Sequence, residues 1–298
     1  MPKSKDRVIP FELTEEINGV VSIVGPAPAG LHVRRKGSGF NNGQILLPAG
    51  TLLDPGRLLV AAASDQPSIQ VYKRPRLSVI TSGDELTPAG SAAITDTRIP
   101  DSLTLPLQLM AQQWGAIPIN STLVSDKVEA IRVAATMAGR DSDVLVIAGG
   151  ASYGDRDFAR PALKMLGLEL SFAGVAIKPG KPVWHGRIGQ LHVLGLPGNP
   201  AAAITIARLF LAPLLYALAG RGFDAALNWR QMPLAAPVAA ADAREMFLFA
   251  RGCDDHVGIL PRQSASAQLP LASADMLVRR PAGGPALDAN SLVPVLDF

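Results

Sequence analysis

The 298-residue sequence holds one cysteine, Cys253, so no disulfide can close within the chain. That usage fits a reducing compartment, and a cytoplasmic location is expected. The four histidines (His32, His185, His192 and His256) make no zinc-ligand spacing with Cys253. Charge is sparse and nearly balanced, with 28 basic against 25 acidic residues, and no basic run interleaves with aromatics. A nucleic-acid partner is therefore not expected. A GxGxxG turn, a Walker A loop and a credible Ser/His/Asp order are all missing, which argues against dinucleotide oxidoreduction and acyl transfer. The first apolar residues are broken by Lys3, Lys5, Asp6 and Arg7, so no signal peptide is read. The single long apolar run, Ala201 to Gly220, contains Arg208 and Pro213 and is rich in alanine. It reads as a buried helix, and no membrane partner is expected.

Apolar residues make up 48% of the chain, enough for two or three globular domains at this length. Residues 1–75 form a partial, mostly β N-terminal region. Strands are expected at Val20–Val24, Gly43–Gly50 and Ser68–Tyr72, with a turn at Gly25–Gly30 and a helix from Asp54-Pro55 over Arg57–Ala63. Arg34, Arg35 and Lys36 read as a solvated face.

Residues 76–224 alternate strand and helix. Strands are expected at Leu77–Ile80, Ile117–Val124, Asp143–Ile147, near Val183-Trp184 and at Gln190–Leu194. Helices are expected around Ser102–Trp114, from Asp126 to Ala138, over Asp157–Leu166 and from Pro200. Such alternation calls for a parallel sheet covered on both faces. Residues 225–298 carry short β pieces (Met246–Ala250, Val257–Leu260, Met276–Val278, Leu292–Leu296), with Leu234–Ala241 as a linker. The fold class is thus α/β, with a small C-terminal β domain.

In open α/β sheets, ligands sit outside the carboxyl ends of the strands. That places Asp84 and Glu85 after one strand, Gly149, Gly150, Ser152, Asp155 and Asp157 after another, and the turn Gly195–Asn199 after a third. In Gly195-Leu-Pro-Gly-Asn-Pro200 the glycines allow close backbone approach, and the helix start favours an anion. Lys178 and Lys181 add positive charge for a phosphate or another oxyanion. Structural alternatives stand beside these readings. Asp126 and Asp157 can be helix N-caps, Glu85 a first-turn carboxylate, the lysines surface charge, and the glycine turn a turn only. Two function classes fit: an enzyme acting on a phosphorylated or nucleotidylated small molecule, and a module that only binds one.

Four motifs stand in order: Thr81-Ser-Gly-Asp-Glu-Leu86, Gly149-Gly-Ala-Ser-Tyr-Gly-Asp-Arg-Asp157, Lys178-Pro-Gly-Lys-Pro182 and Gly195-Leu-Pro-Gly-Asn-Pro200. In order and spacing they resemble the MoeA/gephyrin family, the molybdopterin molybdenumtransferases. The resemblance extends over essentially the whole chain. It implies a MogA-like α/β domain, a C-terminal β domain and a homodimer. The implied reaction moves molybdenum from molybdate to adenylylated molybdopterin with Mg²⁺ present, releasing AMP. It also implies catalytic carboxylates at Glu85, Asp157 and Asp126, with Glu85 and Asp157 on Mg²⁺. The binding set it implies is Thr81, Gly83, Asp84, Gly149, Gly150, Ser152, Lys178, Lys181, Pro197, Gly198 and Asn199.

The sequence also departs from the family pattern. The family carries a longer N-terminal part with a Ser-Ala-Met-Asp-Gly-Tyr-Ala segment, so the chain is expected to begin part-way through the second domain. The family's Gly-Glu-Asp reads Gly37-Ser38-Gly39, its Asp-Ser-Asn reads Asp101-Ser102-Leu103, and its Pro-Val-Ser reads Pro200-Ala201-Ala202. These departures bear on turnover more than on fold, and leave a non-catalytic binding protein with a scaffold or regulatory role as the alternative.

Overall fold

The computed structural model describes residues 6–92, 97–150, 157–266 and 268–298. The chain divides into two compact units, Met1–Ile69 and Gln70–Phe298.

In the first unit, β1 (Thr14–Ile17) and β2 (Val20–Ile23) form an antiparallel hairpin. Its two-residue turn, Asn18-Gly19, takes positive φ at both positions, the twist that suits a tight hairpin. Helix α1 (Pro55–Ala63) starts as expected, with Asp54 accepting the Arg57 N–H at 2.8 Å. Arg34, Arg35 and Lys36 are exposed, as a solvated face requires. The strands expected at Gly43–Gly50 and Ser68–Tyr72 are absent. Pro48 and the two glycines break the first. In the second, Ile69, Val71 and Tyr72 stay exposed, and no described strand lies alongside to accept the backbone groups.

The second unit contains two sheets. The first has the order β6-β3-β7-β11-β10-β8. Its strands are β3 (Arg76–Ser82), β6 (Ile117–Val124), β7 (Val144–Ala148), β8 (Glu169–Ala173), β10 (Trp184–Ile188) and β11 (Leu191–Leu196). Strands β6, β3, β7 and β11 pair in parallel, as the alternating pattern predicts. Strand β10 departs from that pattern by running against both neighbours. A two-residue turn joins it to β11 with Gly189 at positive φ, and a connection that short permits only an antiparallel pair. The two-residue pair β4 (Leu86–Thr87) and β5 (Ile99–Pro100) stands apart from this sheet.

Alternation along β7 shows why both faces are covered. Val144, Val146 and Ala148 enter one core with α2 (Thr104–Gln113), α5 (Pro200–Ile206) and α6 (Ala212–Leu218). Leu145 and Ile147 enter the other with α3 (Val128–Gly139) and α4 (Ala159–Lys164). Burying each of these valine, leucine and isoleucine side chains is worth roughly 1.5–3 kcal/mol.

Helices α5 and α6 are continuous through a π-helical turn at Ala207–Leu211, just ahead of Pro213, which has no amide hydrogen to offer the preceding turn. Among the described residues Pro200–Leu218 is the one helix long and apolar enough to cross a membrane, and 78% of its apolar window is buried inside the protein. The buried-helix reading accords with this.

The second sheet has the order β12-β16-β15-β13-β14, with β9 (Ile177–Lys178) beside β13. Its other strands are β12 (Arg230–Pro233), β13 (Glu245–Cys253), β14 (His256–Ile259), β15 (Met276–Arg280) and β16 (Leu292–Asp297); α7 (Gln268–Ser273) precedes β15. Leu234–Ala241 is no free linker. Leu234 is buried and bridges Val257, and Val238 bridges Leu287. Those two apolar residues dock the segment onto the sheet.

Candidate functional site

The parallel strands end level with one another. Ser82 lies opposite Val124, Thr81 opposite Ala148, and Ala148 opposite Leu196. The loops that follow β6, β3, β7 and β11 therefore share one rim. They are stitched together by backbone bonds: Gly83 N–H to the Val124 carbonyl at 3.2 Å, and Gly149 N–H to the Leu196 carbonyl at 3.4 Å. Gly149 has φ +88°, and a Cβ there would overlap the Ser82 carbonyl oxygen. A Cβ on Gly198 would come to 3.5 Å from the Gly149 Cα. Glycine at 149 is thus what lets β3 and β7 close up beneath the loops.

On this rim Asp84 and Asp126 come together. The Asp84 Oδ1 accepts the Asp126 N–H at 3.1 Å, and the Ser82 hydroxyl donates to the Asp126 carboxylate. Asp126 does not cap α3. The cap position falls on Lys127, whose side chain makes no capping bond, because Asp126 is drawn back across the rim to Ser82. Glu85 is exposed, and no helix follows it; the chain turns into β4, so the first-turn reading fails. Among the described residues its carboxylate makes no hydrogen bond or ion pair.

Asp157 is part-buried. Its carboxylate accepts the Arg160 N–H at 3.2 Å, a cap-type bond, and forms an ion pair with the Arg160 guanidinium. The structural role offered for Asp157 is therefore present, in a helix shorter than expected, Ala159–Lys164. Thr81 is buried and bonds Asp101 and Thr104 at 3.2 and 3.0 Å, which ties β3 to the start of α2. Ser152 and Asp155 lie outside the described residues.

The glycine turn divides in two. Gly195 is a buried residue of β11, where a Cβ would overlap the Trp184 indole, so its role is packing rather than approach to a ligand. Pro197, Gly198 and Asn199 form the loop itself. Asn199 holds the cap position of α5 through its carbonyl, which accepts the Ala203 N–H at 2.9 Å, while its side chain makes no capping bond.

Because β10 runs against β11, Trp184 lies opposite Gly195, and the lysine turn ahead of it leaves from the rim end of the sheet. Gly180, at φ +112°, lets that turn settle on Ile206 of α5. Lys181 is exposed. Lys178, on β9, donates to Asp242 at 3.1 Å.

A model of the MoeA N-terminal region (domain I and II) matches residues 1–64, and one of a probable molybdopterin binding domain matches residues 78–217. A molybdopterin biosynthesis MoeA protein from Pyrococcus horikoshii superposes with a TM-score of 0.81 at 29% identity, covering 98% of this chain and 72% of that one. The chain belongs to the MoeA family.

Curated MoeA-family relatives are named molybdopterin molybdenumtransferase. The one from Nostoc is 33% identical over 74% of this chain and 51% of its own length. The one from Synechococcus elongatus is 29% identical over 99% and 73%. The chain spans about half the length of the Nostoc relative, and 59% of one from Haemophilus influenzae.

Three residues of this MoeA-family chain join the site without having been singled out for it. Asp101 accepts the Leu103 and Thr104 N–H groups at 3.0 and 3.2 Å and so holds the start of α2 beside Thr81. Its spacing before Thr104 is a cap pattern that the sequence displays. Asp242 reaches Lys178, with Arg244 on the same carboxylate, only through the pairing of β9 with β13, for which the sequence has no local signal.

Proposed function

We propose that this chain acts in molybdenum cofactor biosynthesis, transferring molybdenum from molybdate to adenylylated molybdopterin with release of AMP. The observation that carries the reading is the shared rim. Four loops meet there above closely packed glycines, the lysine turn leaves from the same end, and the glycine turn opens into a long helix. The substrates are anions, and such a site offers them backbone amides and fixed positive charge.

The amides of Gly198 and Asn199 would hold phosphate oxygens, Lys178 and Lys181 would balance their charge, and Gly149 and Gly150 would keep the loops close. Mg²⁺ suits this chemistry, since it binds through one or two carboxylates together with substrate phosphates. Among the described residues no three His, Cys, Asp or Glu side chains cluster, so an all-protein cage does not fit, whereas a substrate-bridged ion does. Glu85 would hold it, because its oxygens make no bond among the described residues; Asp157 is engaged by Arg160. Bound there, the ion would neutralise developing phosphate charge. A homodimer and a cytoplasmic location belong to the same reading.

The test is an insertion assay on the purified chain with adenylylated molybdopterin, molybdate and Mg²⁺, following AMP release. Wild type is expected to turn over. Glu85→Gln is expected to lose about a hundredfold in rate while binding AMP normally. Absence of AMP release from the wild-type chain would remove the transferase reading.

A further inference from the structure

The segment before β13 places a carboxylate on the lysine of the proposed anion site. Asp242 is held from behind: its backbone oxygen accepts the Gly283 N–H at 2.7 Å and its Oδ1 accepts the Arg244 N–H at 2.8 Å. Its Oδ2 is left for Lys178, whose Nζ stands 3.1 Å away, with the Arg244 guanidinium 3.8 Å from the same oxygen. A bond to a backbone amide and two cations is the environment that a phosphate or molybdate oxygen would also seek. The adjacent carboxylate, Glu245, is already paired with Arg279 and does not compete.

We propose that Asp242 is an internal competitor for Lys178, holding the ammonium until an incoming oxyanion displaces it, and so sets the affinity and salt dependence of the site. The proposal rests on the reading of Lys178 as an anion-binding residue. The bridge is suited to displacement. Its side chains are 46% and 38% exposed, and ion pairs this open to water are weak. The Arg244 amide, followed by Lys178, holds the Asp242 carboxyl below the usual carboxylate range, so it is charged at neutral pH. An arriving anion meets one net positive charge in this group rather than two.

Asp242→Asn keeps an oxygen for the Arg244 amide while removing the charge. Molybdate and AMP are titrated separately into the full chain by calorimetry, for wild type, Asp242→Asn, Lys178→Ala and the double variant. For whichever anion binds, Asp242→Asn is expected to tighten binding by about three- to tenfold in low salt. The gain should shrink as salt rises. Lys178→Ala should weaken binding, and adding Asp242→Asn to it should recover little, because the competition acts through that lysine.

If Lys178→Ala weakens binding but Asp242→Asn leaves it unchanged or weaker, Asp242 is no competitor and the reading of Lys178 stands. An equal gain with and without Lys178 would make the effect general electrostatics and overturn the proposal. Binding unaffected by Lys178→Ala, or no binding of either anion to wild type, would overturn the reading of Lys178 and the competition with it.

Discussion

Gly149→Ala tests the rim at its tightest point. Alanine at φ +88° costs about 1–2 kcal/mol from backbone sterics alone. The new methyl group would also overlap the Ser82 carbonyl oxygen, a backbone atom at the end of β3 whose residue pairs with Val124 of β6. Overpacking of that kind adds about 1–3 kcal/mol. In a protein of this size each kcal/mol lowers Tm by about 2–4 °C, so a fall of about 4–20 °C is expected. The companion variant is Gly198→Ala. Its φ is not positive, and its Cβ would make ordinary contact with the Gly149 Cα. Its Tm should stay within about 2 °C of wild type, while AMP binding weakens because the methyl group faces the loops. Thermal melts followed by far-ultraviolet circular dichroism, with AMP titrations on the folded variants, measure both. A Gly149→Ala protein melting with wild type would refute the close approach of Gly149 to β3.

Lys181→Ala should weaken AMP binding by about tenfold or more, since charge-assisted contacts to phosphate are worth roughly 1.5–3 kcal/mol, and leave Tm unchanged because Lys181 is exposed; calorimetry and a melt check the two halves. His185 and His192 lie on adjacent strands with ring nitrogens 3.2 Å apart. Both are held below the ordinary histidine value, chiefly by burial, then for His185 by the neighbouring His192 and for His192 by Arg187. The unfolded chain therefore takes up protons more readily, and stability present above about pH 6.5 should be lost as pH falls through the lower folded-state values. Melts between pH 7.5 and about 5 should show that loss reduced in His192→Gln; an unchanged slope would count against it. Arg208 is buried and donates to the Asp297 and Ala226 carbonyls at 2.6 and 2.8 Å. Arg208→Met should lower stability by about 2–4 kcal/mol, read from the urea midpoint, by leaving both acceptors unpaired.

Local pattern was enough for much of this molecule. The apolar run at Asp143–Ile147, the helices expected around Ser102–Trp114 and from Asp126 to Ala138, and the Asp54-Pro55 helix start are properties of neighbouring residues, and the structure has β7, α2, α3 and α1 there. The rule that ligands gather at the carboxyl ends of parallel strands then sufficed to place Asp84, Gly149 and Gly198 on one rim, because strand direction follows from the alternation of elements. What a side chain does there was decided by residues far along the chain. Asp126 leaves its helix for Ser82, 44 positions away, and Lys178 meets Asp242 across 64. Gly195 stands in a motif that suggests ligand approach, yet the Trp184 ring occupies the space its side chain would need. Strand β10 runs against its neighbours because a two-residue turn joins it to β11, while the expected strand at Ser68–Tyr72 found no partner strand among the described residues. Hydrogen bonds between strands and carboxylate partners are non-local, so a single sequence reveals the residues able to make them, and only the assembled fold selects which pairs form.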